Sequence, residues 1–339
     1  MHMADALITP LVGGAMYLAT AKVGSDSINK IKNQLDDTKI PLMGVMGAFV
    51  FATQMINFSI PGTGSSGHLS GGILLAVLLG PYAGFLAMAA ILTIQALFFA
   101  DGGLLALGCN IFNLGFYTCF IAYPYIYKRM LRKGYSTVRI LGASILASIV
   151  GLQLGSFSVV VQTIMSGKIE LPFVTFTILM QSIHLVIGIV EGLVTAAVIN
   201  FVWKARPELI EGAGARSAIR HNVSFKRILL MLILATLIIG GILSLYASGN
   251  PDGLEWTLYN STGQEKLVEN SRLHQWLGDI QNKLAILPNY NFKASGEALE
   301  QVGTSISGVV GAIITLLLAA GVGMIIKTFT KKSRNNNGL

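Results

Sequence analysis

The sequence predicts an all-α polytopic membrane protein, a seven-helix bundle followed by a two-helix carboxy-terminal module, with about nine spans in total. Three observations predict it. Hydrophobic residues make up 53% of the 339 residues and charged residues only 12%, with a mean hydropathy of +0.65, which leaves too little polar surface for a water-soluble multidomain chain. Apolar stretches long enough to cross a hydrocarbon core of about 30 Å recur along the whole length, and a backbone in lipid must satisfy its own hydrogen bonds, so these stretches are expected to be helices. The basic residues, finally, collect in alternate connections.

The expected spans fall at roughly 6–21, 40–58, 69–80, 82–100, 104–126, 138–165, 172–202, 228–248 and 305–326. The third is short and is parted from the fourth by Gly80-Pro81, a pair that can separate two helices or break one long helix. With the amino terminus outside, the connections 22–39, 127–139 and 203–227 and the tail 327–339 are cytoplasmic. They hold all of the 24 Lys and Arg except Lys168, Lys266, Arg272, Lys283 and Lys293. This positive-inside bias places the amino terminus outside the cell and the carboxy terminus in the cytoplasm. It also accounts for the net charge of +8 without a nucleic-acid partner. Cys109 and Cys119 stand ten residues apart on one expected helix in no CxxC spacing, and read as small packing residues. No charged stretch followed by an apolar run and an AxA site opens the chain, so either the start is native or a leader has been removed.

Residues 1–202 form the expected bundle, 203–227 a polar cytoplasmic linker (WKARPELIEGAGARSAIRHNVSFKR), and 228–339 a second module of two spans joined by an external loop, 249–304. No internal repeat is evident. Small residues four apart, Ala15 and Ala19 or Gly188 and Gly192 among them, favour close helix contacts in lipid.

An amino terminus followed by histidine offers three nitrogens in fused chelate rings: the Met1 α-amine, the backbone nitrogen of His2 and the near ring nitrogen of its imidazole. One more imidazole completes four nitrogens, a set that suits Ni(II) or Cu(II) when planar. His68 is the candidate, because the Gly/Ser-rich turn FSIPGTGSSGHLSGG (58–72) lies on the same outer face. Asp5, Ser65 and Ser66 are expected nearby, able to receive the second ring nitrogen of a ligating imidazole. The outer hairpin QALFFADGGLLALGCNIFNLG (95–115) carries Gln95, Asn110 and Asn113, amides expected to tie helices together rather than to ligate a metal. His184 and Glu191 are two helical turns apart on one face of the seventh span. About 10 Å of axial separation is too long for them to share one ion, so a structural or relay role is expected. No GxxxxGK[ST], HExxH or GxSxG motif occurs, so an enzyme is not expected and any ATPase must be a separate subunit.

The start MHMADALITP, the turn PGTGSSGHLSGG, the hairpin QALFFADGGLLALGCNIFN and the helix HLVIGIVEG, in that order over residues 1–192, resemble the CbiM/NikM family, the substrate-binding membrane (S) component of energy-coupling-factor (ECF) transporters for nickel or cobalt. Pro251-Asp252-Gly253-Leu254-Glu255 and LPNYNF at 287–292 resemble the fused partner module known as NikN or the PDGLE domain. The resemblance implies an S-component-like bundle in a prokaryotic cell membrane. It implies a Ni(II) or Co(II) substrate, with no resident cofactor, bound by the Met1 amine, the His2 backbone and imidazole nitrogens and His68. It further implies assembly, within membrane lipid, with a transmembrane coupling (T) subunit and two cytoplasmic ATPases. One departure is Ala6, where many relatives carry glycine. The competing expectation is a stand-alone secondary metal-ion transporter, whose mark would be an intramembrane charge pathway or repeat symmetry.

Overall fold

The computed structural model describes residues 2–32, 35, 38–167, 172–210, 223–263, 271–292 and 300–336. Helix α1 (Pro10–Ile31) begins where the Thr9 side chain accepts a hydrogen bond from Val12 N and Pro10 takes the first turn, a position that needs no N–H donor. Helix α2 (Lys39–Gln54) is apolar all round and is accordingly central. Strands β1 (Phe58–Ile60) and β2 (Ser65–Gly67) then pair antiparallel, with Phe58 opposite Gly67. This hairpin departs from the all-α expectation. Gly62 and Gly64, at φ 78° and 75°, make the reversal in the left-handed region that glycine enters without penalty.

Helices α3 (Gly72–Leu79) and α4 (Pro81–Phe98) are separated at Gly80. Gly84 lets α4 pack directly against α3, since a Cβ there would stand 3.0 Å from Ala76 N. Gly80-Pro81 is therefore a turn between two helices. Helix α5 (Leu107–Ile111) continues into a wider helical stretch, Phe112–Tyr127, that carries Pro124 inside it and ends in the short α6 (Lys128–Met130). Helices α7 (Thr137–Ser166) and α8 (Phe173–Ala205) pack along their lengths. Close approach is set by glycine: a Cβ at Gly188 would lie 2.8 Å from Ile149 Cα, and one at Gly192 would lie 2.3 Å from Ile145 Cα.

The second module comprises α9 (Phe225–Gly241), α10 (Gly253–Thr262), α11 (Arg272–Leu284) and α12 (Glu300–Asn336). Helices α9 and α12 pack on α2, where Gly44 faces Leu316 O and Gly47 faces Ala319. The two parts of the chain thus share one apolar core.

Three expectations change. Among the described residues only five stretches are long and apolar enough to cross a membrane: Pro81–Phe98, Thr137–Ser166, Phe173–Ala205, Phe225–Tyr246 and Gln301–Thr330. The other expected spans are shorter or more polar. Helix α3 has eight residues, about 12 Å of rise. Helix α2 has sixteen, and α1 carries Lys22, Asp26 and Lys30 in its second half. The expected loop 249–304 contains α10 and α11, started by N-caps at Asp252 and Ser271. Helix α8 runs to Ala205 and α9 starts at Phe225, which shortens the expected linker 203–227 at both ends. Its residues 211–222 lie outside the described set.

The packing yields a paired prediction. Gly192→Ala puts a methyl group into the Ile145 backbone and should cost about 1–3 kcal/mol through overpacking. Gly14→Ala, on an α1 face with nothing within 4 Å, should be neutral or stabilise by up to about 1 kcal/mol. Thermal unfolding of the detergent-solubilised variants reads both.

Candidate metal centre

The site begins with the tether on residues 2–8. Asn110 Nδ2 donates to Met3 O at 3.2 Å while Met3 N donates to Asn110 Oδ1 at 2.8 Å, and Gly103 N adds a bond to Met3 O at 2.9 Å. Asp5 Oδ1 accepts from Ala106 N at 3.0 Å. The Met3 side chain is fully buried. Gly103 permits this seat, because a Cβ there would meet Asp5 Oδ1 at 1.9 Å.

Held in this way, His2 has a side chain only 6% exposed. Its ring lies nearly parallel to that of His68, with centroids 5.0 Å apart and planes 5° apart. His68 follows β2 directly. Its Nδ1 donates to Leu69 O at 3.2 Å. Burial pushes the His68 imidazole down to about 3, so it is neutral near pH 7 as ligation requires. The segment after it is fixed from three helices. Glu191 on α8 accepts from Ser70 N at 2.6 Å and Ser70 Oγ at 2.9 Å. Gln54 Nε2 on α2 donates to Ser70 O at 2.8 Å, and Gln95 Nε2 on α4 donates to Gln54 Oε1 at 2.7 Å.

Other candidates fall elsewhere. Met1 lies outside the described residues. Ser65 bonds Thr63 Oγ1, and Ser66 Oγ donates to Asn250 O at 2.8 Å, while Asp5 serves the backbone of Ala106. The imidazole of His68 meets Leu69 O, and that of His2 meets Asp101 through the ring nitrogen nearest its backbone. His2 Nδ1 stands 3.2 Å from Asp101 Oδ2. Burial works against the Asp101 carboxylate, but the His2 imidazole facing it and hydrogen bonds from His2 and Tyr290 hold its pKa well below the usual range. Asp101 is the one carboxylate in the 95–115 hairpin, the only sequence signal for it. Asn110 and Gln95 both tie segments together, as expected of intramembrane amides. Glu191 supports the His68 segment. His184 Nδ1 donates to Met180 O at 2.7 Å. Its Nε2 is buried without a hydrogen-bond partner, beside an enclosed cavity of about 10 Å³ shared with His68, Ser70 and Asp252, room for about one water.

The second module covers this end. Ser66 N donates to Pro251 O at 2.8 Å, and Asp252 caps α10 by accepting from Leu254 N and Glu255 N at 2.8 Å. A cavity of about 800 Å³ opens between the modules, lined in part by His2, His68, Asp101, Asp252, Glu255 and Tyr290. Among the described residues no three His, Cys, Asp or Glu side chains cluster as a metal site.

Two imidazoles, His2 and His68, thus face each other beside a polar cavity in a helical membrane protein. The model of the CbiM family, cobalt uptake substrate-specific transmembrane region, matches residues 2–209, and that of the PDGLE domain matches residues 226–328. A putative fused nickel transport protein NikMN of Archaeoglobus fulgidus is 32% identical over 94% of this chain and 96% of its own. The cobalt transport protein CbiM of Geobacter sulfurreducens is 26% identical over 71% of this chain and 72% of its own. A solved structure described as a truncated transition metal transporter superposes with a TM-score of 0.53 at 30% identity, covering 60% of this chain and 99% of that one. The chain belongs to the CbiM family and carries a fused PDGLE domain.

Gly103→Ala should displace residues 2–5 and cost the tether its fit. The expected outcome is a folded protein with impaired metal binding, read by Ni(II) titration alongside the far-ultraviolet circular dichroism.

Proposed function

We propose that the chain is the substrate-specific component of an ATP-driven ECF transporter, which captures Ni(II) or Co(II) at the extracytoplasmic face for uptake. The observation that carries this is the near-parallel pair of His2 and His68, 5.0 Å apart, with His2 almost wholly enclosed. In this reading the donors are the Met1 amine, the His2 backbone and imidazole nitrogens and the His68 imidazole. Four nitrogens in a plane favour Ni(II), while Co(II) takes the same donors with added axial ligands. The relatives named for nickel and for cobalt transport support both substrates.

The basic connections support an amino terminus outside and a carboxy terminus in the cytoplasm. The absence of a nucleotide-binding motif from the sequence supports separate ATPase subunits reached through a membrane coupling subunit. The α1 face bearing Leu11, Ala15 and Leu18 is exposed and small enough at Ala15 for close helix contact, which suits it to docking that subunit. In this reading the bundle that ends with α8 captures the metal and the module that begins with α9 covers it.

His2→Ala and His68→Ala should each abolish tight Ni(II) binding, measured by equilibrium titration, while leaving the purified protein folded. Stoichiometric binding retained by both would sink the site. One residue added ahead of Met1 should be as damaging as loss of His2, because it turns the amine into an amide and moves histidine off the second position. An uncleaved amino-terminal tag with normal uptake would exclude the terminal chelate.

In cells, this chain alone should bind Ni(II) but not accumulate it, and co-expression with coupling and ATPase subunits should restore uptake. ATP-independent accumulation by the isolated chain would move the reading to a secondary transporter.

A further inference from the structure

The second module reaches His2 through a single carboxylate. Asp101 Oδ2, 3.2 Å from His2 Nδ1, also accepts the hydroxyl of Tyr290. Tyr290 arrives in a fixed pose. Ile286 N and Leu287 N donate to Phe98 O at 2.9 and 3.2 Å, and Asn289 N donates to Phe99 O at 2.7 Å. The Tyr290 ring stacks on Phe99 with centroids 5.0 Å apart. From α11, Gln281 Nε2 donates to Gly102 O at 2.7 Å. Asn289, Tyr290 and Ala100 have φ of 49°, 60° and 54°, a left-handed conformation that residues other than glycine keep only where their surroundings impose it. These three residues bracket the Tyr290–Asp101 bond, so its geometry is enforced from both sides.

A terminal chelate uses the ring nitrogen nearest the backbone, Nδ1, since Nε2 is too far along the ring to close it. In this structure Nδ1 faces Asp101, and Nε2 is buried without a partner. The chelate and the Asp101 contact draw on the same atom and exclude each other. Building on the capture function proposed above, we infer that Tyr290 and Asp101 are positioning residues that hold the His2 ring out of the chelate while the chain is empty, so that the second module sets the affinity of metal capture. An interaction made only in the empty state lowers apparent affinity in proportion to the population it favours.

The test uses the full chain in detergent and competitive titration with Ni(II), comparing wild type, Tyr290→Phe, Asp101→Asn and His2→Ala. Tyr290→Phe keeps the stack on Phe99 and removes only the hydroxyl. It should bind Ni(II) about 2- to 10-fold more tightly, the range expected for losing one hydrogen bond of the empty state, with unchanged stoichiometry and visible spectrum. Asp101→Asn should move in the same direction. His2→Ala placed in the Tyr290→Phe background should erase the gain. Damage to the fold would weaken binding, so a tighter variant separates positioning from structural support. Equal or weaker binding by both Tyr290→Phe and Asp101→Asn, with His2 still required, overturns this inference and leaves the capture site standing. Equal binding by wild type and His2→Ala overturns the site itself, and the inference with it.

Discussion

The reciprocal pair of hydrogen bonds between Asn110 and the backbone of Met3 is the constraint on which the candidate site depends. A chain terminus is ordinarily poorly ordered, and a ligand carried by one is useful only if its entropy has already been removed. Asn110 does this one residue from His2. Both partners are buried, and leaving either unpaired would cost about 1–3 kcal/mol. The amide therefore selects one placement of the terminal strand. Gly103 opens the room for it, and Met3, fully buried, seals it with apolar packing.

His68 is placed by a separate network that converges on Ser70. Glu191 holds Ser70 from α8, and the Gln95–Gln54 pair holds it from α4 and α2. Buried carboxylates and amides at this depth are costly unless bonded, and here Glu191 and Gln54 bond the segment directly while Gln95 braces Gln54. The position of α8 depends in turn on its contact with α7 through Gly188 and Gly192. A helix contact remote from the imidazoles thus bears on where His68 sits.

Much of this was legible in the sequence, for physical reasons that also explain what was not. Helices α7, α8 and α12 are apolar for longer than a membrane is thick, and such runs announce themselves. Helix α1 was read too short because its charges, Lys22 and Asp26, pair with each other on an exposed turn instead of ending the helix. The β1–β2 hairpin and helices α10 and α11 depend on capping residues and glycine turns, which give weak and local signals. His2 and His68 stood out because the chain has only five histidines, of which one is second in the chain and another sits in a glycine-rich turn on the same face. Their partners did not. Asp101 is aimed at His2 by the left-handed turn at Ala100 and Gly102. Ser66 meets Pro251 and Asp101 meets Tyr290 across more than 180 residues of chain, where no periodicity speaks.

The pairing of Ser66 with Pro251 and of Phe98 and Phe99 with residues 286–289 rests on a handful of backbone bonds, each worth about 1 kcal/mol net. Between separate polypeptides such a contact would be fleeting. Carried on one chain, its closing is unimolecular. Covalent fusion therefore lets so few bonds hold the covering segment at the imidazoles without an encounter between separate chains.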